Sequence, residues 1–570
     1  MNSTSWHIKD FNPQLVASVA KEFGVPNAIA KIMSIRGVVD RDISSSFFTP
    51  KKNDLHDPYL LKDMDKAVKR IHQQKMNNNK LMIFGDYDVD GVSSTAMLYK
   101  FFQSADMNVS YYIPHRDIDG YGLSKRGIDF ANSIGADLII TCDCGINAFE
   151  QIEYAAKMDI DVIVTDHHKP EKNIPECIAV INPNRKDCDY PFKGLCGAGV
   201  AFKLAFALAP SLSVDPESIW QYSDLITLGI AADIVPMIDE NRIISHFGLK
   251  MIRAGTNIGI RSLIETSNLN IDLIGIGQIV FWITPKINAA GRLGEASRAV
   301  KLLTSENPVY SMDIAKLLNN ENEKRKIITL NMQDESMSMV ENYFLDEEKK
   351  GIVLFEEGWH SGVIGIVASR IKEIYNKPTI IIGIENGVGK GSCRSISGFD
   401  IVDALDHCEA LLDGHGGHPM AAGLTINQKK IVEFREKFES YCEVKIKKED
   451  LIPIIYIDAE IKIGEINSRL INFLKYLEPY GPKNSKPKFS SKNIIVEGNP
   501  RIIGKDQSTI KFKIRQEQSI FEAIAFRMID EYEKLISGRL IDIVYNISEN
   551  HWNGKTSLQL EIKGIRYSDE

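Results

Sequence analysis

Cysteine is sparse in this chain. Eight occur in 570 residues (Cys142, Cys144, Cys177, Cys188, Cys196, Cys393, Cys408 and Cys442), and none forms a CxxC pair. That argues against a disulfide framework and against a zinc ribbon, and it fits a reducing cytoplasm. Long apolar runs are missing too: no stretch approaches the ~18 residues of a membrane span, so no membrane partner is expected. The opening residues, MNSTSWHIKDFNPQL, have no basic stretch leading into an apolar run, and a secretory leader is not expected. There is no internal repeat and no low-complexity tract. The net charge of −8 does not advertise a nucleic-acid binder, although an acidic shell can surround a local basic channel.

What is present is a chain too long for one core, with a texture that changes along its length. From about 80 to 235, apolar runs alternate with amphipathic stretches: LMIF (81–84), VSYYI (109–113), LIIT (138–141), VIVT (162–165) and IAVI (178–181) read as buried strands, with helices over 92–104, 124–134 and 147–158. Continuous apolar strands separated by helices are the pattern of a mostly parallel, doubly wound sheet. Residues 240 to 345 read as helical, with a long connecting helix at the end. A second α/β unit starts near 350, and from 450 short strands predict a small barrel of the OB type. The expected organisation is a helical segment (1–75), a catalytic α/β domain (76–245), a helical connector (246–345), a second α/β domain (346–445) and the barrel (446–570).

Chemistry concentrates where the first strands end. LMIF runs into Asp86, Asp88 and Asp90; LIIT into Asp143 between Cys142 and Cys144; VIVT into Asp166, His167 and His168; and LITLGIAADIVP delivers Asp233. The carboxyl ends of strands in an open α/β sheet line the ligand crevice, so acids far apart in sequence converge. Clustered carboxylates need a counter-charge, and oxygen-rich ligands with one or two imidazoles suit Mn²⁺ or Mg²⁺ better than zinc. So many acids exceed the needs of one ion and point to a pair, an arrangement that activates water and stabilises a leaving oxygen in phosphate-ester hydrolysis. Adjacent residues of an extended strand face opposite ways, so one of His167 and His168 is expected to bind metal, the other to touch phosphate or pass a proton. Taken singly, Asp86 and Asp166 are also plausible helix N-caps. Cys142 and Cys144 read as buried small residues.

DYDVDG, TCDCG, DHH and AADIVP resemble the four motifs of the DHH phosphoesterase superfamily. PKINAAGRLGEA (285–296), WHSGVIGIVASRI (359–371), GSCRSISGFD (391–400) and GHGGHPMAAG (414–423) extend the resemblance, in order, to its branch of single-stranded-DNA-specific exonucleases carrying a DHHA1 domain. The resemblance implies metal binding by Asp88, Asp90, Asp143, His167 and Asp233, with Asp86, Asp166 and His168 beside the scissile phosphate. It implies substrate contacts from Arg116, Asn288, Arg292, His360, Ser392, Arg394, Gly416, Gly417 and His418, with Arg116, Ser392 and Arg394 around a 5′ end. The activity implied is 5′-to-3′ exonuclease release of 5′-mononucleotides with two Mn²⁺ or Mg²⁺ ions, in DNA repair and recombination. A monomer is expected, helped by a helicase and a single-strand-binding protein. The alternative is a phosphodiesterase for short oligonucleotides or cyclic dinucleotides. Three positions depart from the family pattern: Lys286 stands where Arg is common, LEPYGPKNSKPKF differs from GxGNPxPxF, and Gly564 replaces a frequent Asp.

Within the barrel region, residues 483–515 hold nine Lys or Arg against two acids, interleaved with Phe489 and Phe512. Basic residues with aromatics for stacking are how OB-folds hold single strands. Lys488, Lys511, Lys513 and Arg515 are the candidate contacts. A merely solvated charged face is the competing reading.

Overall fold

The structure, a computed structural model, describes residues 4–569 apart from 117, 121, 172, 294, 344–348, 505, 553 and 554. Lys505 of the basic segment and the expected boundary at 345–346 therefore lie outside the described residues. The chain forms two compact units. The larger holds residues 7–291, 295–319 and 456–570; the smaller holds 1–6, 292–294 and 320–455.

The larger unit contains a five-stranded, all-parallel sheet: β1 (Lys80–Gly85), β2 (Val109–Tyr112), β3 (Ala136–Cys142), β4 (Asp161–Thr165) and β5 (Ala179–Ile181). Its order is β2-β1-β3-β4-β5. The chain order reverses at β1, and ligands of open α/β sheets bind beyond the strand ends at such a switch point. Strands buried on both faces must be apolar throughout, which is why each of the five was legible as a short run. One face packs on helices α1 (Val89–Ser104), α2 (Gly197–Leu208) and α3 (Ser223–Ala232), and this core continues through residues as far as Leu318. LITLGIAADIVP is thus helix, not strand. A run buried all round looks the same in either state, and length arbitrates poorly near ten residues.

Asp224, in the first turn of α3, is fully buried and its Oδ1 accepts only the Leu225 N–H at 2.7 Å among the described hydrogen bonds. Burial pushes its carboxyl up to about 7. Because the folded value lies above the unfolded one, the neutral form's advantage is complete below about pH 4 and lost as pH rises to about 7, at about 1.4 kcal/mol per unit. Asp224→Asn is therefore expected to leave stability unchanged near pH 4. Above pH 7 it should gain about 4 kcal/mol relative to its effect at pH 4, the full distance between the unfolded and folded values. Urea melts at both pH values check this; equal effects at the two would contradict it.

The closed five-stranded barrel consists of β11 (Phe489–Ile503), β12 (Thr509–Gln516), β13 (Ser519–Ala525), β14 (Ile541–Trp552) and β15 (Lys555–Tyr567), after the five strands of the smaller unit given below. It runs β11-β12-β13-β15-β14 and closes by β14 pairing with β11; only β13 with β15 is parallel. Its core is shared with the N-terminal helices: Val16, Val19, Ile29, Ile32, Met33 and Phe47 pack in one cluster with Ile463, Leu470, Phe489, Ile510 and Ile543. A buried guanidinium on the helix Asp239–Ala254 joins the helical layer of the parallel sheet to this body. Arg242 donates to the carbonyls of Phe47, Tyr476, Leu477 and Pro479 at 3.0–3.2 Å and lies over the Phe47 ring. The atypical LEPYGPKNSKPKF segment, with the tyrosine just before it, supplies three of those carbonyls.

In the smaller unit a mixed sheet has the order β9-β10-β8-β7-β6, from β6 (Ile352–Glu357), β7 (Thr379–Glu385), β8 (Val388–Arg394), β9 (Gly414–His418) and β10 (Ala421–Asn427). The helix Pro308–Tyr343, of 36 residues, is the long connector expected from sequence. Trp359 is buried and donates its indole N–H to Glu335 at 2.8 Å. No helix among the described residues is long and apolar enough to cross a membrane.

Candidate metal centre

The parallel ladder carries on one residue past each strand. Asp86 N–H donates to the Cys142 carbonyl, Asp143 N–H to Thr165, and Asp166 N–H to Ile181. Successive strands thereby set three aspartates along one edge of the sheet. Asp88 is the N-cap of α1, its Oδ1 accepting from the N–H groups of Asp90 and Gly91 at 2.9 and 3.1 Å. The N-cap role that the sequence allowed for Asp86 therefore belongs to Asp88. Asp90 is gripped by the neighbouring helix: Gly197 and Ala198, opening α2, donate N–H groups to Oδ2 at 2.6 Å and Oδ1 at 2.9 Å. A helix N-terminus stabilises a carboxylate there. Glycine is required at 197, because a Cβ would stand 2.5 Å from that of Asp143. Asp233 follows the last residue of α3.

His167 Nε2 lies 3.1 Å from Asp143, 3.5 Å from Asp233 and 3.9 Å from Asp90. His168 is tethered through Nδ1 to Asp166 Oδ1 at 2.7 Å, and that nitrogen is 3.9 Å from Asp143. The rings are 4.5 Å apart, both turned to the carboxylates. The expected alternation fails because β4 ends at Thr165, before the pair begins. Asp166 is fully occupied as an organiser: Oδ1 also takes the N–H groups of His167 and His168, and Oδ2 that of Ile146. Two asparagines unread in the sequence, Asn182 and Asn184, donate to the His168 and His167 carbonyls.

Three sets of side chains could hold a cation, each with ligand atoms within 4.8 Å: Asp90, His167 and Asp233; Asp86, Asp88 and Asp143; and Asp143, His167 and His168. Asp143 and His167 are each shared between two sets. Buried Asp86 Oδ1, Asp143 Oδ1 and His167 Nε2 have no hydrogen-bond partner among the described residues. Burial, then the charge of a neighbouring aspartate, raises the carboxyls of Asp86, Asp88 and Asp143 above the usual range and Asp233 to about 8. Burial lowers His167. Burial opposes charge on His168 too and is the largest single effect, but the Asp166 hydrogen bond together with the charges of Asp166, Asp233 and Asp90 outweighs it and raises the imidazole to about 9. Such a cluster ionises only against added positive charge, so the donor set fits hard divalent cations, whose arrival would release protons.

Of the other sequence candidates, Arg116 lies over the Tyr87 ring, beside Asp86 and Asp88, at 5.8 Å. Asn288 is on the helix α4 (Thr284–Leu293), and Lys286 is buried there, donating to Thr266 at 3.2 Å. Arg292, His360 and Gly362 sit together: Arg292 donates to the Gly362 carbonyl, and Gly362 N–H to His360 Nδ1 at 2.9 Å. On β8, Arg394 donates to Ser392 Oγ at 3.0 Å and to Ser369 at 3.1 Å. Gly416, Gly417 and His418 are exposed on edge strand β9.

The barrel corrects one expectation. Phe489 and Phe512 are buried in its core and cannot stack on bases. Lys511, Lys513 and Arg515 do share the outer face of β12, but Lys511 pairs with Glu522 at 2.9 Å and Arg515 with Glu497 at 2.7 Å. Lys513 is exposed, and Lys488 is half-buried near Asp458.

Family models match three segments: the DHH family N-terminal domain over residues 80–230, the DHHA1 domain over 348–444 and the RecJ OB domain over 457–564. These matches, the switch-point carboxylates and the barrel define a DHH-class protein with two α/β domains and an OB-fold. The single-stranded-DNA-specific exonuclease RecJ of Bacillus subtilis is 35% identical over 566 residues, covering 99% of this chain and 71% of that protein. RecJ of Thermus thermophilus in complex with Mn²⁺ superposes with a TM-score of 0.84 at 27% identity, covering 99% of this chain and 79% of that one. Its Mg²⁺ complex gives 0.78 at 26% identity, covering 99% and 78%. The chain belongs to the RecJ family.

Proposed function

We propose that the chain is a single-stranded-DNA-specific exonuclease that removes 5′-mononucleotides from the 5′ end by two-cation phosphodiester hydrolysis. The observation that carries this reading is the pair of triads, Asp90–His167–Asp233 and Asp86–Asp88–Asp143, set side by side at the switch point of the sheet. When bound, Mn²⁺ or Mg²⁺ supplies Lewis acidity to the attacking water and to the phosphate oxygens. The protein does the rest. Gly197 and Ala198 fix Asp90, and the ladder beyond β1, β3 and β4 fixes Asp86, Asp143 and Asp166. His168, held by Asp166 and shifted by it toward the protonated form, is our donor to the scissile phosphate. Ser392 with Arg394 presents a guanidinium fork for phosphate, and Arg116 and Arg292 serve the same chemistry. Asn288 and His360 are assigned to the strand. The exposed glycines 416 and 417 allow close backbone approach, and His418 offers a hydrogen bond. On the barrel, Lys513 and Lys488 are the proposed strand contacts ahead of Lys511 and Arg515, whose charges are partly spent on glutamates.

The same reading makes the protein a cytoplasmic monomer acting in repair and recombination, beside a helicase and a single-strand-binding protein. The test uses a long oligonucleotide labelled at its 3′ end, single-stranded or duplex, with Mn²⁺. A ladder of shortening labelled products from the single strand only is the expected result. Survival of the long strand with hydrolysis of a dinucleotide or cyclic dinucleotide would transfer the reading to a small-substrate phosphodiesterase.

A further inference from the structure

Helix α4 is preceded without a break by a π-turn, Ile279–Ile283. Ile279 and Ile283 are buried, while the consecutive Phe281 and Trp282 are 76% and 50% exposed. The wider π-turn is what shows two neighbouring rings to solvent at once, and such turns inside α-helices occur frequently at functional sites. Leaving two large rings hydrated forgoes one of the larger burial gains a side chain offers.

Three observations lead from these rings to the metal centre. The π-turn packs against α3, whose C-terminus delivers Asp233. Ile234, the next residue, is 65% exposed with φ +56°, a conformation that a β-branched side chain resists. At the far end of α4, a Cβ on Gly291 would come within 2.7 Å of the Tyr87 carbonyl, so this helix abuts the segment between Asp86 and Asp88. Along α4 most described side chains are buried; Pro285, Asn288 and Arg292 are half-exposed, at the spacing that continues the face begun by Phe281. At 1.5 Å per residue, Trp282 stands roughly 14 Å from Gly291, a run of about four stacked nucleotides at 3.4 Å each.

We propose that Phe281 and Trp282 form a base-stacking platform for the single strand, about four nucleotides from the metal centre. The inference rests on the nuclease reading and adds a subsite to it. Flat, exposed rings without base-specific hydrogen-bonding groups suit any sequence, as a processive nuclease requires.

The experiment compares wild type with Phe281→Ala, Trp282→Ala, Trp282→Phe and the double alanine variant. Substrates are oligothymidylates of two and of about twelve nucleotides, the longer one within the reach of a single-strand-binding site. In the double variant, KM for the longer strand should rise roughly tenfold relative to KM for the dinucleotide, with Trp282→Phe near wild type. In EDTA, the longer strand should quench tryptophan fluorescence in wild type, and Trp282→Phe should lose most of that quenching. An unchanged KM ratio together with persistent quenching in Trp282→Phe would overturn the platform while leaving the nuclease intact. A wild-type protein that neither binds nor cuts the longer strand would instead remove the nuclease reading, and the platform with it. Both side chains are exposed, so folding should be undisturbed; matching thermal melts confirm that.

Discussion

Asp143→Asn is expected to lower the cleavage rate on single-stranded DNA by roughly a thousandfold or more, the equivalent of the several kcal/mol of charge stabilisation that cation binding supplies at about 1.4 kcal/mol per tenfold. Asparagine fills the same space and tolerates the residue's φ of +62°, so the backbone should be retained. Asp143 shares two of the cation sets, and its loss weakens each. The same substitution should raise stability when cations are chelated. Burial, with the charges of Asp90 and Asp88, lifts the Asp143 carboxyl well above its unfolded value. Stability from the neutral form is present at low pH and lost as pH rises toward the folded value, so the gain in the variant grows from pH 5 to pH 8. With Mn²⁺ the order reverses, because wild type binds the ions and the variant binds them poorly. Product ladders and paired melts in EDTA and Mn²⁺ read both effects. A variant as active as wild type, or less stable than it in EDTA at pH 8, would contradict the assignment.

Glu240→Ala is expected to cost about 3–5 kcal/mol of stability, the range for stranding one partner of a buried ion pair. Glu240 and Lys203 are 0% and 1% exposed and 2.8 Å apart. The carboxylate also accepts from Tyr190 Oη at 2.6 Å and from His56 N–H at 3.1 Å. Its removal leaves an ammonium, a phenol and an amide without that acceptor. Glu240→Gln keeps the shape and should cost less, while Glu240→Leu with Lys203→Met should recover most of the loss, since an apolar pair avoids desolvation. Urea melts decide, and an alanine variant within about 1 kcal/mol of wild type would mean water reaches the pair. Lys203 lies on α2, whose first amides hold Asp90, so the alanine variant should also need more Mn²⁺ for half-maximal activity.

The parts that were legible in the sequence share a physical reason. Strands buried on both faces show as apolar runs, and acids at their ends stand out against them. Asp86, Asp88, Asp90, Asp143 and His167 were readable on that ground, and the structure brings them together with Asp233, which ends a helix rather than a strand. The clamp on Asp90 was not, because backbone N–H donors leave no side-chain signature; only the glycines of GLCGAG hinted at close approach. Asn182 and Asn184 carry no signal that tells them from the asparagines of an ordinary turn. The β13 strand, SIFEAIA, carries a weak sequence signal because only its second half is buried. The error over Phe512 was avoidable. In IKFKIR the alternation sets it with Ile510 and Ile514, opposite the lysines, and the inward set of a barrel strand is its core.

The core that the N-terminal helices share with the barrel has a consequence for synthesis. Val16 to Phe47 leave the ribosome long before their partners between Ala459 and Ile565. At about 5–20 residues per second, the wait is on the order of 20–80 s. During it, a row of valine, isoleucine and phenylalanine side chains has nothing of its own to cover it. The catalytic sheet can close meanwhile, since its strands span only residues 80 to 181. Translation thus delivers a folded catalytic sheet with an unprotected leading segment, and the last strands of the barrel complete both ends of the chain in one event.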